Sequence, residues 1–512
     1  MLASNDFIRP TLYGNTYLNK PPMFFWIVAA VGSLLGEVSP LATRIPSVLA
    51  ALGCALIALR FAPNVLDRST RALAALFVLA LSALLDKGTL GEIEATLCLL
   101  VAGSLKIWWD GQRPTGQTTS SWMMVGLLLG LSGLLKGPAG PVIFYMTIGS
   151  YLVWTRRWRE LFSSGHLACL ALAILPAAIW VGALVDRGVI STSELIGVWG
   201  EQLGLIRKEN AIAIPDDQWS RRLTHYAEFP FQVVGMFFPA VVWMPFAFRR
   251  RWSNDRRIPD DIRKFLLCGA IVPFLVFYLY PESRARHLMP AAFSAAVLAA
   301  IVVTAMKRAP GRWANRGRLI ALALATLPAL FTIAGVALAT LVHVECLPCA
   351  VAGLAVGLVW SSLAVVVTRR TPHAAGVISF AVTLSTLPLA VWFVINLVVI
   401  PWRAPYATST DAIVVAERLP PGEVIYTTRT FPGKGERFYN LQFHLAPELR
   451  AANDLNSLKN AAPCIAVVAP QERMALQAEG WNVEEIGRMG GRDGQPMVYV
   501  IRLAPAQMAR RE

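Results

Sequence analysis

Charged side chains are scarce in this sequence, and several of them fall in patterns that could grip an anion. The first is Tyr17-Leu18-Asn19-Lys20-Pro21-Pro22-Met23-Phe24-Phe25-Trp26. The two prolines fix φ and remove two N–H donors, so a helix can begin there but not pass through. The aromatic run that follows is short for a span, and its rings suit the water–lipid boundary. This predicts a helix lying at a membrane surface, with Lys20 fixed at its start, where an ammonium can meet a lipid phosphate. A lysine snorkelling at a membrane edge has the same signature. Two carboxylates, Glu92 and Glu94, open a later apolar run. Glu94 is the deeper; it suits orienting an acceptor, holding a divalent cation, or taking a proton if burial raises its pKa. Charge compensation at a helix N-terminus suits Glu92 better. Lys136, in Leu134-Leu135-Lys136-Gly137-Pro138, either reaches a headgroup or marks a tight turn. Arg284, Arg286 and His287 crowd the stretch Pro281-Glu282-Ser283-Arg284-Ala285-Arg286-His287-Leu288-Met289-Pro290. Guanidinium forks match phosphate oxygens, and a salt bridge to Glu282 is the simpler alternative. The segment 186–228 adds Arg207, Lys208, Glu209, Arg221, Arg222, His225 and Tyr226, a candidate acceptor surface with no single residue singled out.

The elements that must carry these groups are membrane spans. Of 512 residues, 55% are hydrophobic and 15% charged, and the mean hydropathy is +0.51. Apolar runs long enough for a bilayer core recur. They predict an all-α polytopic membrane protein with about twelve spans, roughly 41–62, 70–86, 89–109, 120–134, 138–154, 164–185, 229–249, 264–281, 287–306, 318–343, 349–368 and 374–400. Basic clusters around Arg68, Arg157, Arg250, Arg312 and Arg369 are each separated by an even number of these spans. They mark the cytoplasmic side and account for the net charge of +15 without a nucleic-acid partner. Segment 1–40, the loop 186–228 and everything after about 401 then lie outside. Arg284 and Arg286 break the charge rule by standing on that outer face. Ionisable groups within or at the mouth of spans are functional by default, because burying them is costly.

Residues 401–512 change character. Val424–Thr428, Ile465–Val468 and Met497–Arg502 read as strands and Gln471–Glu479 as a helix, which predicts a small soluble α/β domain serving as a lid or packing unit. Of seven cysteines, Cys54, Cys98, Cys169 and Cys268 fall in or near apolar runs and read as buried and inert. Cys346 and Cys349 form a CxxC between two spans, read as a small disulfide or two free thiols. The N-terminus has no cleavable-signal pattern.

Taken together, these pieces resemble the polyprenyl-phosphate-sugar glycosyltransferases of the GT-C fold. The nearest branch is the ArnT-like aminoarabinose transferases, related to protein O-mannosyltransferases. The resemblance rests on Asn5-Asp6-Phe7-Ile8-Arg9-Pro10-Thr11-Leu12-Tyr13-Gly14, the Lys20-Pro21-Pro22 segment, Leu135 to Pro138, and Arg284 to Pro290. It implies donor-phosphate contact for Lys20 and the acidic role at the outer start of a span for Glu94, where the family more often has Asp. His287 stands where the family has a phosphate-contacting tyrosine, and Asn19 replaces a frequent glutamate. The implied reaction moves a sugar, 4-amino-4-deoxy-L-arabinose in the best-known case, from undecaprenyl phosphate to lipid A or another envelope acceptor, with inversion. Lys20, Lys136, Arg284, Arg286 and His287 would bind the donor phosphate and Glu94 would be catalytic. No cofactor is implied beyond an optional divalent cation. The setting would be the periplasmic face of the bacterial inner membrane. The family also has a first span and an outer acid ahead of the segment that begins here at Met1. The expectation is therefore a start upstream of Met1 or a truncated chain, with weak or no transfer if the chain is complete. A lipid or solute transporter and a non-catalytic scaffold are the rival readings. A transporter predicts costly charges near the midplane and matching broken helices.

Overall fold

The computed structural model describes residues 1–2, 5–12, 15–18, 20–113, 116–191, 218–248, 259–281, 283–308, 322–323, 325–342, 347–370, 381–385, 387–388, 392, 415, 418–419, 423–428, 449–452, 454–489 and 498–505. The chain divides into two compact units. The larger comprises Met1–Ile8 and Leu18–Val398; the smaller comprises Arg9–Tyr17 and Val399–Glu512.

The larger unit is helical. Helix α1 (Met23–Leu35) starts directly after the two prolines, with Pro22 as its N-cap, and stops at Gly36 in the left-handed region (φ 84°). It is followed by α2 (Pro40–Leu59), α3 (Arg68–Ala80), α4 (Ser82–Thr89) and α5 (Ile93–Asp110). Next come α6 (Thr119–Lys136), α7 (Ala139–Trp154), α8 (Ser164–Asp186) and α9 (Gln218–Phe237). The series continues with α10 (Met244–Ala247), α11 (Asp260–Leu279), α12 (Ala292–Arg308), α13 (Leu327–Val342) and α14 (Leu347–Arg370). Among the described residues, five helices are long and apolar enough to cross a membrane, or up to seven if each bent pair is one span. Helix α12 and the 3-10 turn before it (Ala285–Ala291) lie at the centre, with every residue of their apolar window buried. A helix apolar all round belongs in such a place, and the alanines at 295, 296, 299 and 300 let neighbours close on it.

Two of the expected spans are broken. The run read as 70–86 bends by 58° between α3 and α4, at Leu81. The run read as 229–249 bends by 102° after α9. The breaks meet. The Ser82 N–H donates to the Phe238 carbonyl at 3.0 Å, and the Ser82 hydroxyl donates to the same oxygen at 3.4 Å. Backbone freed by a helix break inside a membrane must find such a partner or line a cavity.

The tightest helix pair is α6 with α8. Gly126 and Gly130 form a small-xxx-small pair on α6. A Cβ on Gly126 would lie 2.4 Å from the Cys169 carbonyl oxygen, and one on Gly130 would lie 2.6 Å from that of Leu172. Both clashes are with backbone, which cannot swing away. Two ion pairs brace this unit: Arg308 reaches Asp67 at 2.6 Å, tying two distant segments, and Arg157 reaches Glu160, three residues on, at 2.7 Å. Burial alone would raise the Asp67 carboxyl, but hydrogen bonds from Thr70 and the Arg308 guanidinium overcome it and bring the carboxyl down to about 2.

The smaller unit holds a five-stranded sheet. There β1 (Thr11–Leu12) pairs antiparallel with β2 (Asn15–Thr16), and in the larger unit β3 (Gln112–Arg113) pairs with β4 (Gly116–Gln117). The sheet contains β5 (Ile425–Thr428), β6 (Leu449–Ala452), β7 (Cys464–Val468), β8 (Asn482–Met489) and β9 (Val498–Ala504), in the order β6-β5-β7-β9-β8. The first three strands are parallel and the last two pair antiparallel. Ile501, Leu503, Val468 and Leu476 of the helix Pro470–Ala478 fill its core. The three strands expected from sequence are there; β6 and β8 are additional. Cys54, Cys98, Cys169 and Cys268 are free and buried. Cys346 lies outside the described residues.

Gly126→Ala is expected to cost about 1–3 kcal/mol through overpacking. Gly133→Ala, at a position on the same helix with nothing within 4 Å, should leave stability unchanged. Thermal unfolding of the two variants in one detergent checks this.

Candidate active site

Two helix ends create the first part of the site. Glu94 lies in the first turn of α5, after the N-cap Glu92, and Lys136 is the last residue of α6, just before Gly137 (φ 63°). A carboxylate is favoured at a helix N-terminus and an ammonium at a C-terminus. The two meet: Lys136 Nζ lies 2.8 Å from Glu94 Oε1, with side chains only 9% and 5% exposed. A pair this buried must be well coordinated, because removing either partner leaves a stranded charge. Glu92 is occupied elsewhere. Its carboxylate takes Lys87 at 2.9 Å, and its carbonyl accepts from the Ser47 hydroxyl.

Lys20 is held by the segment ahead of α1. Trp26 Nε1 donates to the Phe7 carbonyl at 2.6 Å, and Trp180 Nε1 donates to the Ile8 carbonyl at 2.9 Å. Leu18 packs with Leu134, Trp180 and Leu184. Burial lowers the proton affinity of Lys20 below that of an ordinary lysine. The positive charge of Lys136 lowers it further, Glu94 pulls it back up, and Arg286 and Arg284 lower it again. Lys20 therefore shares one electrostatic neighbourhood with four of the other groups singled out in the sequence.

Arg284 and Arg286 come from the turn entering the central helix. Ser283 Oγ donates to the Phe277 carbonyl at 2.6 Å, anchoring that turn to the end of α11. The His287 N–H donates to the Arg284 carbonyl at 2.9 Å, and the His287 ring lies 6.1 Å from that of Phe277. His287 feels Lys136, Arg286, Arg284 and Glu94. The structure thus gathers Lys20, Glu94, Lys136, Arg284, Arg286 and His287 from four parts of the chain. Glu282, the simpler partner for the arginines, lies outside the described residues, as do Arg207, Lys208 and Glu209.

Arg284 and Arg286 also line a cavity of about 1180 Å³. It opens where the two broken helices meet, and Ser82, Met236 and Phe238 contribute to its wall. Leu85, Phe229, Leu387, Pro388 and Trp392 make much of it apolar. An apolar trough ending in two guanidinium groups suits an amphiphile with an anionic head. Sequence reasoning missed polar residues on this wall, among them Asp86, Thr224, Glu228 and Gln232. Asp86 ends the run expected to be a plain span, and its signal is the charged Asp86-Lys87 pair at the junction of two apolar runs. Segment 218–228, read as loop, is the start of α9. Among the described residues, no three His, Cys, Asp or Glu side chains come together as metal ligands.

Lys136→Met is expected to destabilise the protein by about 3–5 kcal/mol, because Glu94 is left buried and unpaired. Adding Glu94→Gln should restore most of that loss. Thermal or denaturant unfolding of the single and double variants checks it.

The comparisons bear on this arrangement. Residues 19–181 match the family model described as dolichyl-phosphate-mannose-protein mannosyltransferase. Undecaprenyl phosphate-alpha-4-amino-4-deoxy-L-arabinose arabinosyl transferase of Edwardsiella ictaluri (strain 93-146) is 25% identical over 303 residues, 59% of this chain and 52% of that protein. The protein of the same description from Pseudomonas aeruginosa (strain UCBPP-PA14) is 27% identical over 301 residues, 58% of this chain and 52% of that one. The chain thus spans about half the length of the curated relatives it matches. Among solved structures, ArnT from Cupriavidus metallidurans in the apo state superposes with a TM-score of 0.73 at 18% identity, covering 99% of this chain and 92% of that one. The same protein bound to undecaprenyl phosphate gives a TM-score of 0.68 at 18% identity, over 98% and 91%. The chain thus has the fold of the solved ArnT structures and is similar in sequence, over somewhat more than half of its length, to these arabinosyl transferases.

Proposed function

We propose that the chain transfers a sugar from undecaprenyl phosphate to an envelope acceptor, lipid A being the first candidate, at the periplasmic face of the inner membrane. One observation carries this reading: the cationic cluster around Lys20 shares Arg284 and Arg286 with the large, mostly apolar cavity. The cavity walls accept the start of an isoprenoid chain, and the cations take its phosphate. In the transfer, the bond between the anomeric carbon and the phosphate oxygen breaks as the acceptor oxygen forms its own bond to that carbon. The departing phosphate keeps the electron pair. Lys20, Arg284 and Arg286 stabilise that charge where it develops. Glu94, already paired with Lys136, fixes the ammonium in place and orients rather than abstracts. His287 braces the Arg284 turn. The sheet-bearing unit, residues 401–512, would stand outside the membrane, and segment 1–40 would lie at its outer surface. The names of the relatives support this reading over transport or a scaffold.

Lys20→Ala is expected to weaken undecaprenyl phosphate binding about ten- to a hundredfold, the worth of one charge-assisted hydrogen bond. The pH dependence follows from the lowered proton affinity of Lys20. Affinity is full while its ammonium is protonated and falls as pH rises through its depressed pKa, earlier than for an ordinary lysine. Bound phosphate raises that pKa, so binding in this range takes up a proton. Lys20→Arg, always charged, should flatten the profile. Binding isotherms in lipid nanodiscs across alkaline pH measure all three proteins. Mass spectrometry of lipid A from a deletion strain, complemented with wild type or Lys20→Ala, tests the reaction. Unchanged lipid A on deletion would sink this acceptor, and full affinity in Lys20→Ala would sink the site.

A further inference from the structure

Helix α9 presents a polar face to the cavity. Thr224, His225, Glu228 and Gln232 all line it. Their spacing of one, three and four residues puts them along one side of a helix. The four supply a hydroxyl, an imidazole, a carboxylate and an amide, the mixture of donors and acceptors that a sugar ring requires. His225 Nε2 lies 3.1 Å from the Tyr278 carbonyl. A carbonyl only accepts, so Nε2 carries the hydrogen, and in the neutral ring Nδ1 is left as an acceptor.

Glu228 differs from the other carboxylate of this cavity. Asp86 has a cation beside it, Lys87 at 3.3 Å. Glu228 accepts only from the neutral Gln232 amide, at 3.3 Å, and no cationic side chain among the described residues pairs with it. Arg284 and Arg286, on the same cavity, are likewise without an ion-pair partner among the described residues. Glu228, Arg284 and Arg286 are all exposed to this cavity, so a ligand with charges of both signs can meet them through charge-assisted hydrogen bonds. Such a ligand carries a phosphate and, on its sugar, a cationic group.

We propose that the polar face of α9 is the sugar subsite and that Glu228 is the specificity-determining residue that binds an ammonium substituent on that sugar. The inference rests on Arg284 and Arg286 holding the donor phosphate. It goes further by naming the group that selects an amino sugar over a neutral one.

Equilibrium binding by the full chain in lipid nanodiscs tests it with three probes: undecaprenyl phosphate bearing a 4-amino-4-deoxypentose, the same donor N-acetylated, and bare undecaprenyl phosphate. Wild type is expected to prefer the free amine over its N-acetyl form about tenfold or more. Glu228→Gln, of the same shape, should abolish that preference, with the loss confined to the amine probe. Glu228→Asp should restore part of it. Preference retained in Glu228→Gln overturns the assignment. So does an equal loss for all three probes, which would mark a packing role. If wild type binds bare undecaprenyl phosphate but does not discriminate, only the Glu228 assignment falls. If it binds none of the probes, the phosphate site falls with it.

Discussion

Four positive side chains held within reach of one another repel, and the structure must hold them against that repulsion. The Glu94–Lys136 pair is the device that does so. It sits where the start of α5 meets the end of α6, so the partial charges of both helix ends favour the ions they carry. Lys20 registers the balance. Burial and three neighbouring cations lower its proton affinity, and Glu94 alone among the named influences raises it. A phosphate arriving among these groups relieves repulsion as well as forming new bonds, which is why a poorly solvated anion is the ligand such a cluster favours.

The second constraint is the pair of bent helices. A straight span would have filled the space now open beside Arg284 and Arg286. Bending α3 into α4, and turning the chain after α9, leaves room for a cavity, and the Phe238 carbonyl satisfies the amide exposed at Ser82. Irregular backbone at this depth is admissible because protein groups and a cavity surround it. The cluster and the cavity are thus two products of one arrangement: helix ends brought together rather than helix sides.

Much of the charged cluster was legible in the residue types. Lys20 stood out because two prolines stop a helix from absorbing it. Arg284 and Arg286 stood out because they break the charge rule for an outer loop. The helix starting at Met23 and the strands at Ile425–Thr428 and Cys464–Val468 also followed from local pattern. The bends were not legible. Hydropathy sums over a window and does not register direction, so Leu81, apolar like its neighbours, gave no sign of a 58° turn. Glu228 was hidden for a related reason. Its meaning lies in which neighbours lack a counter-charge, and that is a property of the assembled cavity. The partnership of Glu94 with Lys136 joins residues 42 positions apart, a distance no local spacing encodes.

Helix α8 contributes none of the charged groups, and only 17% of its apolar window is buried. Yet its backbone lies against Gly126 and Gly130, and Lys136 stands six residues further along the same rod, about 9 Å on. A rigid helix carries a displacement at one point to its tip. The ångström-level address of the ammonium is therefore written partly by a neighbour that mostly faces outward. Lipid thickness or lateral pressure acting on that neighbour has a mechanical route to the chemistry, through a seam where backbone meets backbone and the stiff Pro176 ring.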